Sequence, residues 1–351
     1  MNKHLLPALL LSMTTSLSAQ LQNTDVHEFP EMEKSSTRKE ICIPNIPGFE
    51  TLKCDFHIHT VFSDGSVWPT VRVDEAWQNG LDAIAMTDHI EYRPNKDIVL
   101  GDLNKSYEIA KKRADNIGMI LIQGTEVTRQ KPFGHMNALF ITDANKMKVE
   151  SPEEAIKEAK HQGGVVIWNH PGWPNDTCDI FDVHSQMIEN GMIDAVEVHN
   201  NTEMYPKAMD WCNEMNIGFA ACSDIHGVKT IEYGDDITTH PMTLVFAKSK
   251  DLAGLKEALL AKRTVAYFNH KIAGPEQLTK RLVEASLKTR KINAKGLTEV
   301  TNISDIPFVV KYKNNKYTFS PGTTVRLTLD GSPMVFENCL IGTEKYLNLV
   351  L

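Results

Sequence analysis

Leu52-Lys53-Cys54-Asp55-Phe56-His57-Ile58-His59-Thr60 reads as a strand that runs from apolar and mixed residues into a pair of imidazoles. Strand side chains alternate with a period of two, so His57 and His59 project from one face. Phe62-Ser63-Asp64-Gly65 follows at once and adds an acid near the same strand end. Asp224-Ile225-His226 repeats the alternation after another strand-like run, Gly218 to Cys222.

Working outward, strand-like and helix-like runs take turns. Asp82 to Thr87, Met119 to Glu126, Met136 to Ile141, Val165 to Trp168, Ile193 to Val198 and Thr243 to Ala247 have strand character. Helical patterns cover Val71 to Gln78, Tyr205 to Met215 and Asp251 to Lys262. Ser151-Pro152-Glu153-Glu154 is a strong helix start: a capping serine, a proline at the first helical position and an acid that completes a capping box. That helix is expected to stop at Gly163. Repeated βα units predict a parallel sheet, closed or open. From about Glu299 the texture changes to short β-rich runs with turn signals at Asn314-Asn315, Pro321-Gly322 and Asp330-Gly331. The expected division is a barrel over 51–298 and a small all-β domain over 299–351.

Of thirteen histidines, His57, His59, His89, His135, His170, His199 and His226 fall within or just after predicted strands. A (β/α) barrel gathers its reactive groups there, because the loops after its strands share one mouth. Asp64, Thr87-Asp88-His89, Gly124-Thr125-Glu126, Gly134-His135 and Asn169-His170-Pro171 punctuate the same strand ends. Imidazole suits zinc, iron and similar ions, and a carboxylate can bridge two of them. A single strand histidine is more often a hydrogen-bonded core residue. Two alternating pairs and several further positions, all at strand ends, favour a metal site.

These motifs resemble those of the PHP family (polymerase and histidinol phosphatase domains). Cys54-Asp55-Phe56-His57-Ile58-His59-Thr60 with Phe62-Ser63-Asp64-Gly65 is similar to its first motif, Thr87-Asp88-His89 to its second, Asn169-His170-Pro171 to its third and Ser223-Asp224-Ile225-His226 to its fourth. The resemblance covers roughly 52–268. It implies a distorted (β/α)7 TIM-like barrel holding two or three divalent ions (manganese, zinc or iron). Carried over by motif, the implied ligands are His57, His59, Asp64, His89, Glu126, His135, His170, Asp224 and His226, with Glu126 bridging. The implied activity is metal-dependent hydrolysis of phosphate esters, and the chain looks most similar to an exported bacterial phosphodiesterase branch. Two close ions lower the pKa of a water between them and supply hydroxide near neutral pH. Asp224 and His226 are the candidate catalytic residues for the leaving-group proton. Phosphomonoester hydrolysis, or metal sensing without turnover, are the alternatives.

Arg129, on the loop after Glu126, is a candidate substrate-binding residue, since a guanidinium matches two phosphate oxygens; Lys131 is a weaker one. His199, in Glu197-Val198-His199-Asn200, is a second candidate for substrate contact. Trp168 to Pro174 is expected to wall the pocket. The expected partner is a small phosphorylated substrate. A net charge of −8 with dispersed Lys and Arg argues against an extended nucleic-acid-binding face. Lys3 and His4, the apolar run Leu5 to Met13 and the small residues to Ala19 predict a signal peptide over 1–20, and so a periplasmic or secreted protein. Residues 21–50 read as a polar extension, and no later run is apolar for long enough to span a membrane. The six cysteines are compatible with disulfides, Cys42 with Cys54 for example, or with buried thiols.

Overall fold

β1 (Glu50–Asp55), α1 (Pro69–Gln78), β2 (Ala83–Met86), α2 (Lys105–Ile117) and β3 (Ile120–Thr128) give two βα units whose strands pair in parallel, β1 with β2 and β2 with β3. This is a computed structural model, and it describes residues 26, 37–175, 177–236 and 238–351. The expected signal peptide lies outside the described residues. Among the described residues, no helix is long and apolar enough to cross a membrane.

The uniform βα rhythm is then interrupted. β4 (His135–Leu139) runs antiparallel to β3 and to β5 (Val165–Trp168). Residues 129–134 are too few for a parallel crossover, which needs a dozen or more residues, so the chain folds back as a hairpin. α3 (Pro152–His161) leads into β5, and Ser151 Oγ accepts the Glu154 N–H at its start as the sequence predicts. The Glu154 carboxylate turns to Lys157 instead of closing the capping box.

α4 (Asp182–Glu189), β6 (Ala195–Asn200), β7 (Glu203–Met204), α5 (Pro206–Glu214) and β8 (Gly218–Cys222) follow, with β8 parallel to β6. After α6 (Lys229–Glu232) come β9 (Met242–Ala247), α7 (Leu252–Leu260), β10 (Thr264–Phe268) and β11 (Lys271–Ala273), and β9 pairs antiparallel with β1. Threonine hydroxyls tie the far flank back. Thr264 Oγ1 accepts Phe219 N–H and Thr243 Oγ1 accepts Ala221 N–H, both at 3.0 Å. The sheet thus curls until β8 faces β9 and β10. The observed sheet is mixed, where the sequence suggested a parallel one. β2 and β5 are buried along their whole length, as strands covered on both faces must be.

α8 (Glu276–Ser286) leads to β12 (Leu287–Lys291), β13 (Leu297–Asn302), β14 (Phe308–Tyr312), β15 (Asn315–Phe319), β16 (Thr324–Thr328), β17 (Met334–Gly342) and β18 (Lys345–Leu349). β12, β13 and β16 form a three-stranded antiparallel sheet. The expected boundary at 298/299 falls inside β13. β17 pairs in parallel with β11, so part of the C-terminal region continues the main sheet. Residues 38–351 pack as one unit. The expected extension is tied in from residue 38 on: Ile41, Ile43 and Ile46 are buried, and Cys42 and Asp305 exchange backbone and side-chain bonds. All six cysteines are free thiols.

Phe308 and Phe336 are fully buried, with ring centroids 5.9 Å apart, in the same cluster as Val265 and Ile272 of the main sheet. Phe336→Ala should therefore cost about 3–5 kcal/mol. Urea unfolding measures this, and a loss below about 1 kcal/mol would mean that the C-terminal strands are only loosely attached.

Candidate metal centre

β1 ends at Asp55 rather than running on through His59. The reason lies in the Asp55 side chain, which is buried and takes the place of a strand neighbour. Its Oδ1 accepts His57 N–H (3.3 Å) and Ser223 N–H (3.1 Å), while its Oδ2 accepts Ser223 Oγ–H and faces His240 Nε2 (3.1 Å). One carboxylate thereby holds the His57 segment against the Asp224 segment. A bridge between Ile58 and Ile225 keeps the two segments parallel, with His59 N–H on Ile225 O (3.0 Å) and Asp224 N–H on His57 O (2.9 Å). Arg72 on α1 is buried and donates to His59 O and His226 O, clamping the same pair of loops from below. Gly65 lies so close that a Cβ there would sit 2.7 Å from the His59 carbonyl carbon, so only glycine fits.

All the ligands implied by the motifs meet in one cluster. Glu126, at the centre, is fully buried. Its Oε2 lies 3.5 Å from His57 Nε2, 3.5 Å from His59 Nε2 and 2.7 Å from His89 Nδ1. Its Oε1 lies 3.0 Å from His135 Nδ1 and 3.7 Å from His170 Nε2. Asp224 Oδ1 is 3.2 Å from His57 Nε2 and 3.0 Å from His59 Nε2. Asp64 Oδ1 is 3.5 Å from His89 Nε2 and 3.3 Å from His226 Nε2. Three overlapping groups result: His59, Asp64, His89 and His226; His57, Glu126 and His170; and His57, His59 and Asp224. Within each group the donor atoms lie within 4.8 Å of one another.

The donor set fits divalent cations. His57 Nε2, His59 Nε2, Asp64 Oδ1, Glu126 Oε2 and His135 Nδ1 are buried without a hydrogen-bond partner. Buried polar atoms are rarely left so, and these converge on common points. The electrostatics agree. Burial alone would raise the Glu126 and Asp224 carboxyls, but His89 and His57 hold the first well below its ordinary value and His57 and His59 the second. Burial works against charged His57 too, yet Asp224, Glu197 and Glu126 keep it well above its usual value. His59, buried and beside His89, drops to about 4.

Two of the candidate ligands sit on strained backbone: Asp224 has φ +53° and His170 φ +24°. Residues without glycine's freedom persist there only when their surroundings over-determine them. Glu197 does part of this. Its Oε1 pairs with His57 Nδ1 (2.9 Å) and its Oε2 accepts His170 N–H (2.7 Å). A carboxylate behind a ligating imidazole fixes tautomer and ring orientation. Asp88 likewise accepts from Thr60 and Ser63, shaping the loop that carries Asp64. Sequence reading missed Glu197, Asp55 and Arg72. The available signal was charge in an apolar setting, as in Ala195-Val196-Glu197-Val198.

Arg129 and His199 depart from expectation. The Arg129 guanidinium pairs with Glu91 and donates to Thr128 O and Val149 O, so it is not a free phosphate clamp. Lys131 is spent on the carbonyls of Gly172 and Thr177. A register shift against β8, between Glu197 and His199, sets two residues of β6 against one and reverses the facing. Glu197 and Asn200 turn to the candidate ligand His57, while His199 stacks on Phe268 with centroids 4.2 Å apart. Trp168 is core, stacked between His184 and Trp211, whereas Trp173 packs against His135 and does wall the pocket.

The PHP domain profile matches residues 55–168. A solved structure from Bacteroides vulgatus, described as a two-domain protein containing a predicted PHP-like metal-dependent phosphoesterase, is 35% identical and superposes with a TM-score of 0.86, covering 91% of this chain and 99% of that one. An uncharacterized protein of Methanocaldococcus jannaschii is 29% identical over 160 residues, 42% of this chain and 82% of the relative. A second from the same organism is 38% identical over 81 residues, 23% of this chain and 36% of the relative.

Glu197→Gln should weaken metal binding about 10- to 100-fold, read by competition with a chromophoric chelator. Unchanged affinity would remove Glu197 from the orienting role. Burial, then Lys271, lowers His199 from an ordinary 6.5 to about 3, so it is neutral in the fold. Its contribution is present above pH 6.5 and is lost as pH falls towards 3, because the unfolded chain takes up the proton first. In His199→Phe, stability should decline less steeply across that window and turnover should persist. A collapse of turnover with stability intact would return His199 to the substrate.

Proposed function

This chain belongs to the PHP-like metal-dependent phosphoesterases, and from that premise we propose that it hydrolyses phosphate diesters in preference to monoesters, in an exported protein, on a TIM-like barrel closed by the threonine ties of β8. The carrying observation is that the implied ligands meet in one cluster, with His57, His59, His89, His135 and His170 around Glu126 and three overlapping groups of donors. Divalent ions held there would neutralise phosphate oxygens and activate water near neutral pH.

The chain's own residues do the rest. Glu126 anchors the cluster, and Asp55, Arg72 and Glu197 hold the ligand segments in register. His226 gives its Nδ1–H to Asp224 O (2.7 Å), so only Nε2 faces the cavity. That nitrogen offers a lone pair when the ring is neutral and a proton to a leaving oxygen when it is charged. Asp224, between His57 and His59, is placed to hold an ion or to steer that proton.

Diester preference follows from charge. A monoester dianion calls for cationic side chains, and the nearby Arg129 and Lys131 are committed to Glu91 and to carbonyls. A diester, with one negative charge, needs fewer. The leader-like residues 1–20 support export.

The test compares bis-aryl with mono-aryl phosphate at equal metal loading. The diester should turn over faster, with two to three ions per chain by elemental analysis. Asp224→Ala should lose metal and nearly all rate. Arg129→Ala should keep its metals and most of kcat/KM, within about threefold. A parent enzyme faster on the monoester overturns the diester preference, and a chain that binds ions without turnover overturns hydrolysis itself.

A further inference from the structure

We infer that the outer face of the three-stranded sheet formed by β12, β13 and β16 docks on an anionic lipid surface. None of its residues lines the cavity over the candidate metal ligands, and the inference is independent of the bond cleaved there.

The inner face of this sheet is spent on the core, since Leu287, Val300 and Leu327 are buried in the cluster that holds Phe308 and Phe336. Side chains alternate along a strand, so the residues between them point outward. The register sets these in three cross-strand rows. Arg290, Glu299 and Arg326 form the middle row, with Lys288, Thr301 and Thr324 beside it. On the other side Ile292 N–H donates to Leu297 O, and Leu297 lies opposite Thr328. The face therefore grades from basic to apolar.

The middle row is pre-organised for an anion. Glu299 is 9% exposed; its Oε2 accepts from Arg290 Nε and Nη2, and its Oε1 from Arg326 Nε and Nη2. Both arginine side chains nonetheless remain 70% exposed. One carboxylate thus fixes two guanidinium forks and leaves their Nη1 groups for a further acceptor. An incoming phosphate, which a guanidinium fork matches, does not have to order these side chains. Lys288, Lys291 and Lys295 enter no ion pair among the described residues. The charge is also regional: residues 276–351 hold eleven Lys and Arg against seven Asp and Glu, in a chain of net charge −8. Acids elsewhere in the chain, beyond about 8 Å, are largely screened at physiological salt.

The apolar row selects a lipid surface over a dissolved polyanion. Ile292 is 40% exposed at the turn between β12 and β13, with Lys291 before it and Lys295 beyond. At a headgroup boundary the isoleucine leaves water while the ammonium groups stay among the phosphates. No residue in the three rows is aromatic, so the face offers nothing on which a base could stack. Lysines on outer strands also keep a sheet edge from pairing. That role accounts neither for two arginines fixed across the middle strand nor for an exposed isoleucine.

The test sediments the metal-loaded full chain with vesicles of phosphatidylcholine, either alone or with about 30 mol% phosphatidylglycerol. Binding should require the anionic lipid and should fall at least about tenfold between roughly 0.1 and 0.5 M salt. Lys288→Gln with Lys295→Gln should weaken it roughly 20-fold, about fivefold for each charge removed. Ile292→Ser should weaken it about fivefold and leave its salt dependence unchanged. All three positions are exposed, so both variants should keep the parent's urea midpoint. Equal binding to neutral vesicles, binding to neither, or an Ile292→Ser chain that binds like the parent would overturn the inference. Tighter binding to dextran sulfate than to the anionic vesicles would assign the face to a dissolved polyanion and overturn the lipid reading.

Discussion

A charged carboxylate held at the centre of the fold, Glu126, is what the surrounding structure must accommodate. An ionised acid away from water is costly unless it is paired and hydrogen-bonded. Burial would push Glu126 up into its neutral form, and His89 and His57 keep it ionised. The histidines around it come from separate elements: His57 and His59 after β1, His89 after β2, His135 at the start of β4 and His170 after β5. Bringing their rings to one carboxylate requires these strand ends to open on one mouth. The hairpin of β3 and β4 serves that end, since it sets His135 opposite Thr128, two residues beyond Glu126.

Accommodating Glu126 in turn strains the backbone. Asp224 and His170 take positive φ angles, and the Asp55 carboxylate and the Arg72 guanidinium bind the main chain of the neighbouring segments. Both side chains are buried, with their polar atoms bonded to the segments they hold. They also pre-organise the ligand atoms, so the cluster need not be assembled at the moment an ion binds. The orphaned nitrogens and oxygens facing inward are the remaining imbalance, and it is one that cations resolve.

The same arrangement explains why the pocket is so poor in free positive charge. Arginine and lysine side chains near the site are recruited to hold loops, through carbonyl oxygens and Glu91, rather than to meet a ligand. Positive charge for a phosphate must then come from the ions themselves. The C-terminal strands stand apart from this chemistry and share the core through β17 and Phe336.

The candidate metal ligands were legible in the sequence because their motifs are local, although β1 stops at Asp55 and Asp224 takes a positive φ, so strand alternation alone does not place them. The helix beginning at Pro152 was legible for the same reason, since capping depends on four consecutive residues. Long-range pairing was not legible. Whether β4 runs with or against its neighbours depends on where the chain closes its loops, and the C-terminal boundary depends on which edge β17 finds. The facing of His199 turned on one extra residue between Glu197 and His199, which a periodic reading cannot see. Arg129 was a clamp by spacing and became a tether because Glu91, far off in sequence, folds against it. Sequence by itself determined which atoms could hold metal, because ligand chemistry belongs to the side chain. Only the tertiary structure decided which charges remain free to act, because that depends on every partner the fold brings near.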